Sequence, residues 1–118
     1  MGANIWVTKL AGALAEDETS RQSRNFFKGR SLGAKCMNSC DHGTYFTNGE
    51  VGVHVHDATE EVFYFIRGTG IVVLGEREIP VRAGSVVAVP VGVRHGVRNT
   101  GKDILQHVVC SARVREGA

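Results

Sequence analysis

The sequence predicts an all-β fold, an antiparallel sandwich or barrel, on three observations. From Val51 onward, apolar segments of four to eight residues recur at short intervals. Turn residues separate them, at Gly68-Thr69-Gly70, Ala83-Gly84, Pro90-Val91-Gly92 and Asn99-Thr100-Gly101. No helix-period pattern lies between the segments, which disfavours parallel β-α-β units.

In chain order, Asn4 to Lys9 reads as an edge strand, Leu10 to Ala15 as an Ala-rich helical turn, and Glu16 to Ser23 as a polar stretch. Phe26 and Phe27 are expected to anchor this arm on the barrel, and Gly43 to Thr47 reads as a strand leading into the main pattern. The strands that follow are expected at Val51 to His56, Glu61 to Arg67, Ile71 to Leu74, Ser85 to Val89, His95 to Asn99 and Ile104 to Ser111. At 118 residues the chain supports one core, so a short arm over 1–42 and a barrel over 43–118 are expected within one structural domain.

Strand periodicity places Glu61, Phe63 and Phe65 on one side and Val62, Tyr64 and Ile66 on the other. It places His54 and His56 opposite Val51, Val53 and Val55. Two apolar faces per strand need cover from a second sheet and from something further, so a homodimer is expected.

Composition excludes several classes. Hydrophobic residues make up 42% and charged residues 22%, ordinary for a globular chain. The formal charge of +2 comes from 14 basic and 12 acidic residues scattered along the sequence, without the basic cluster that follows a phosphate backbone. Nucleic acid is therefore not an expected partner. No apolar run approaches the roughly 20 residues of a membrane span, and neither a secretory signal nor a myristoylation motif is evident, so the expected location is cytoplasmic. Three cysteines, Cys36, Cys40 and Cys110, lack zinc-ribbon spacing and are expected as reduced packing thiols.

Chemistry concentrates in His54-Val55-His56-Asp57-Ala58-Thr59-Glu60-Glu61. Histidines at i and i+2 of a strand share a face, a carboxylate follows after a tight connection, and His95 follows the turn at Pro90-Val91-Gly92. An isolated His-x-His is more often a pair of half-buried strand residues bonded to backbone. With a carboxylate and a third imidazole added, the set suits one divalent ion of Zn, Fe, Mn, Ni or Co without selecting among them.

These residues resemble both motifs of the cupin superfamily. The first motif is matched by Gly49, His54, His56, Glu61 and Gly68, with four rather than five residues between Gly49 and His54. The second is matched without a gap by Gly84, Pro90, Gly92, His95 and Asn99. Fifteen residues separate the motifs, the short form of the linker, and the resemblance covers residues from about 43 to 112. It implies a small single-domain cupin of the type-2 barrel, an antiparallel double-stranded β-helix or jelly roll. It also implies His54, His56, Glu61 and His95 as metal ligands.

Glu60 competes with Glu61 for the ligand position. Glu61 is preferred because six residues separate it from Gly68 and it shares a face with Phe63 and Phe65, which leaves Glu60 as a solvated or supporting acceptor. Phe63 and Phe65 are expected as an apolar pocket wall, and Arg94, beside His95, as the first anion-binding partner. His42 and His107 fall outside the motifs and read as surface or packing residues.

Four protein ligands leave room on the metal for a small molecule. By resemblance, the leading expectation is a metal-dependent enzyme of dioxygenase, decarboxylase or isomerase type. Its substrate would be a small oxygen-bearing chelator such as a carboxylate, enol or diol. A non-catalytic cupin module binding a sugar or small metabolite is the alternative. Glu61 is unlike the pattern of thiol dioxygenases, and Phe63 stands where cupin dimethylsulfoniopropionate lyases carry a tyrosine base.

Overall fold

Strands account for most of the chain in the computed structural model, which describes residues 8, 10, 14–17 and 20–114. They are β1 (Leu14–Asp17), β2 (Arg21–Lys28), β3 (Met37–Tyr45), β4 (Glu50–His54), β5 (Thr59–Arg67), β6 (Thr69–Leu74), β7 (Arg77–Arg82), β8 (Val86–Val89), β9 (His95–Asn99) and β10 (Leu105–Arg113). One helical turn, α1 (Gly29–Leu32), follows β2 and ends at Gly33 in the left-handed conformation. The strands form a six-stranded sheet, β1-β2-β3-β10-β5-β8, and a four-stranded sheet, β4-β9-β6-β7. Every pairing is antiparallel, in keeping with a jelly roll.

From β4 onward the expected strands are present, with ends moved by a residue or two. β7 is an addition. Its Pro80 and alternating charges weaken the strand signal, but β7 lies at the edge of the smaller sheet, where a missing N–H is tolerated.

The first fifty residues differ more. Leu14 and Ala15, expected in a helical turn, belong to β1 and pair with Asn25 and Arg24 of β2, so sheet pairing overrides the helical preference of alanine. Arg21, Gln22 and Ser23, expected in a polar stretch, begin β2. The edge strand expected over Asn4 to Lys9 lies outside the described residues, Thr8 excepted. β3 starts at Met37, six residues before the expected Gly43, and runs through position 42.

The apolar core lies between the sheets. Tyr45, Phe63, Phe65, Val72, Val81, Val87, Val89, Val97 and Leu105 form one buried cluster, with Val51, Leu74, Val93 and Val109 packed against it. The expected parity of β5 holds, since Phe63 and Phe65 are buried while Val62, Tyr64 and Ile66 are exposed. That of β4 does not, because a register shift between Val51 and His54 turns both residues inward and leaves Val53 and Val55 outside.

Two polar residues fix the frame around the core. The Asn99 amide donates to the carbonyls of Tyr45, Phe46 and Asp103 at 3.0, 3.1 and 2.9 Å, two hydrogens serving three acceptors. Its oxygen accepts from Gly101 N at 2.9 Å. Gly68, at φ 88°, joins β5 to β6 where a Cβ would collide with the Ile104 carbonyl. Both positions therefore have the structural duty that their motif places imply.

Candidate metal centre and its cavity

Three strands from both sheets meet at one cluster of imidazoles. His54 ends β4 and pairs directly with His95, which opens β9, while His56 follows in the connection to β5. The register shift before His54 is what aims its ring inward. Ring centroids lie 4.3 Å apart for His54 and His95, 4.9 Å for His54 and His56, and 5.1 Å for His56 and His95. Glu61 reaches this group from β5, and one ligand atom from each of the four residues lies within 4.8 Å of the others.

Hydrogen bonding orients two of the rings. His54 Nδ1 donates to the Gly52 carbonyl at 2.7 Å, and His95 Nδ1 donates to the Val93 carbonyl at 3.0 Å. A carbonyl only accepts, so each neutral ring carries its hydrogen on Nδ1 and its lone pair on Nε2. His95 Nε2 lies 3.0 Å from Glu61 Oε1, and His56 Nε2 lies 3.2 Å from the same oxygen. The neutral His95 lone pair and the Glu61 carboxylate are both acceptors, so this arrangement requires a proton or a cation between them. Three imidazoles and a carboxylate with ligand atoms within 4.8 Å of one another fit a divalent ion, with backbone carbonyls orienting the His54 and His95 rings.

A cavity of about 200 Å³ opens beside the cluster. His54 and Glu61 of the cluster line it together with Val51 and Phe63, and so do Arg21, Tyr45 and His107. Phe65 lies behind Phe63, stacked at 6.2 Å, and is fully buried in the core instead of facing the cavity. Glu60 is exposed and outside the cluster, since its neighbour Glu61 takes the inward direction. Arg94 is exposed and does not line this cavity, because alternation next to the buried His95 turns its side chain outward. Arg21 of β2 is the cavity's arginine, and it comes from the stretch whose strand character sequence reasoning missed.

His107 and Tyr45 were also missed as cavity residues. For His107 the signal was present, because alternation along Leu105, His107 and Val109 sends all three inward. Tyr45 Oη and His107 Nε2 are 2.9 Å apart, and the His107 ring lies over Gly43, where a Cβ would come within 2.6 Å of Cε1. Burial, then the nearby His42, push the His107 pKa down to about 3. His107 Nδ1 is buried without a hydrogen-bond partner among the described residues. His42 is also buried, but on the opposite face of β3 beside Phe26, and burial with Arg24 lowers its pKa.

A larger cavity of about 630 Å³ lies along β2 and β3, with Lys28, Arg30, Asn38 and Arg113 among its lining residues. Ser23 and Asp41 line both cavities. Among the described residues no helix is long and apolar enough to cross a membrane.

Comparison with known proteins gives a consistent picture. The sequence model of the Cupin domain matches residues 44–110. The oxalate-binding protein of Thermotoga maritima is 32% identical over a segment covering 48% of this chain and 46% of that protein. Auxin-binding protein 1 of Arabidopsis thaliana is 33% identical, with 59% of this chain and 39% of that protein covered. The chain thus spans less than half the length of these two relatives.

Among solved structures, a predicted oxalate decarboxylase from Thermotoga maritima superposes with a TM-score of 0.83 at 18% identity, covering 92% of this chain and 99% of the other. The polyketide cyclase RemF from Streptomyces resistomycificus gives 0.77 at 18% identity, covering 98% and 83%. At such identities these structures establish the shared fold.

Proposed function

This chain belongs to the cupin family, and from that membership and the geometry of its four-residue cluster we propose that it holds one divalent metal ion through His54, His56, Glu61 and His95 and acts on a small chelating carboxylate, enol or diol. The observation that carries the reading is the convergence of three imidazole nitrogens and one carboxylate within 4.8 Å, two of the rings held by backbone carbonyls. Mn, Fe, Ni, Zn and Co all accept this donor set. The ion, when bound, supplies Lewis acidity toward an oxygen-bearing ligand.

The chain's own groups account for the rest of recognition. Phe63 and Val51 give the cavity an apolar wall that limits water around the ligand. Arg21 offers a cation to a carboxylate, and the Tyr45–His107 pair adds polar groups to the cavity lining. A cavity of about 200 Å³ suits a ligand of few heavy atoms. The proposed reaction is of oxidoreductase, lyase or isomerase type.

A second reading is a non-catalytic module that binds a small carboxylate through its metal. The names of the two relatives, an oxalate-binding and an auxin-binding protein, favour it. One experiment addresses both readings. Oxalate and acetate are titrated into apo and Mn(II)-loaded protein, and Fe(II), Mn(II), Ni(II) and Zn(II) forms are then screened for turnover of small keto, enol and hydroxy acids. Metal-dependent preference for oxalate supports a chelating ligand, and turnover separates enzyme from binding module. Equal binding with and without metal would remove the ion from recognition and contradict both readings. The proposal also includes a homodimer and a cytoplasmic location.

A further inference from the structure

Cys40 of β3 and Cys110 of β10 stand directly opposite each other in the central antiparallel pairing of the larger sheet. Their side chains lie on the face turned away from the core, in register with the exposed Val62 of β5. The two sulfurs are 2.9 Å apart, so about 0.9 Å of approach separates them from the bond length of about 2.05 Å. Cys110 is exposed and Cys40 half-buried. Cys36, the third cysteine, is exposed in the segment before β3.

We propose that Cys40 and Cys110 form a reversible intramolecular disulfide under peroxide, a covalent staple between β3 and β10 that excludes Cys36. The exposed Cys110 reacts first. Its thiolate attacks one peroxide oxygen, the O–O bond breaks, and a sulfenic acid and hydroxide result. The Cys40 sulfur then attacks the Cys110 sulfur, and the sulfenic oxygen leaves as water with the Cys40 proton. Hydroxide takes up the proton that Cys110 released. Two thiols lose two electrons in all, and one peroxide becomes two waters. Burial and the hydrogen bond to Cys110 push the Cys40 thiol up to about 12, so Cys40 stays protonated and is not the sulfur that meets peroxide first.

The staple closes the chain from 40 to 110, the segment that contains His54, His56, Glu61 and His95. Closing so long a loop restricts the unfolded chain more than the folded one. The oxidised form should therefore melt about 10 °C above the reduced form.

The test treats the full chain with hydrogen peroxide in slight excess, caps remaining thiols with N-ethylmaleimide, and maps peptides without reduction. Expected are a Cys40–Cys110 linked peptide, a capped Cys36, free thiols falling from three to one, and the higher Tm. Dithiothreitol should reverse all but the cap. Cys40→Ser should leave Cys110 as a sulfenic acid that dimedone traps, and Cys36→Ser should behave as wild type. A linkage through Cys36, a disulfide between two chains or three capped thiols after peroxide would overturn the proposal. So would an unchanged or lower Tm in the linked form, or failure of Cys110 to react with N-ethylmaleimide in the reduced native protein.

Discussion

His95 Nε2 faces Glu61 Oε1 at 3.0 Å, while His95 Nδ1 is already committed to the Val93 carbonyl. A neutral His95 therefore presents a lone pair to a carboxylate, and only a proton or a cation reconciles them. This relation ties the strand geometry of β5 and β9 to metal chemistry, and it ranks the two adjacent glutamates. Glu61→Gln should weaken Zn(II) or Ni(II) affinity about tenfold or more, because a neutral amide replaces an inward-facing carboxylate. Glu60→Gln should change it little. Isothermal titration of both variants checks the order, and a reversed order would move the ligand role to Glu60.

Stability should depend on pH through His107. Its folded pKa lies near 3, below the usual 6.5, so between those values the unfolded chain binds the proton and the folded chain does not. The contribution is fully present above about pH 6.5 and declines as pH falls toward 3. Each unit of depression is worth about 1.4 kcal/mol, so the loss can reach several kcal/mol. Urea unfolding of the metal-free protein at pH 7 and pH 4.5 should show a steeper decline for wild type than for His107→Gln. Equal declines would show that His107 does not carry the effect.

Phe65 is fully buried within the core and in ring contact with Phe63 and His107. Truncation in Phe65→Ala should cost about 3–5 kcal/mol, the transfer and cavity terms together. The denaturant midpoint measures it, and a loss below about 1 kcal/mol would mean that the core closes over the gap.

Much of this was legible in the sequence because period-two patterning and glycine turns are local signals. From β4 onward these signals found the strands, apart from β7, whose Pro80 and charges hide an edge position. The four clustered residues stood out by their spacing. Arg21 and Tyr45 did not, because only the pairing of β2 with β3, and of β3 with β10, brings them to the cavity. The inward turn of Val51 depends on a register shift that no alternation rule encodes.

Tyr64, Ile66 and Val86 are between 41% and 61% exposed, and Tyr64 and Val86 are paired across β5 and β8 on one face. The proposed homodimer would cover this patch. Light scattering should give twice the chain mass at micromolar concentration, and Tyr64→Asp should shift the protein toward monomer. A wild-type monomer would overturn the dimer.

The central claim is that His54, His56, Glu61 and His95 hold one divalent ion, and elemental analysis of chain made in metal-supplemented medium tests it most directly. The account predicts about one equivalent per wild-type chain, and under about a tenth when the three histidines of the cluster are replaced by alanine. Wild-type protein with less than about a tenth of an equivalent, and no rebinding of added Ni(II) or Zn(II), would contradict it.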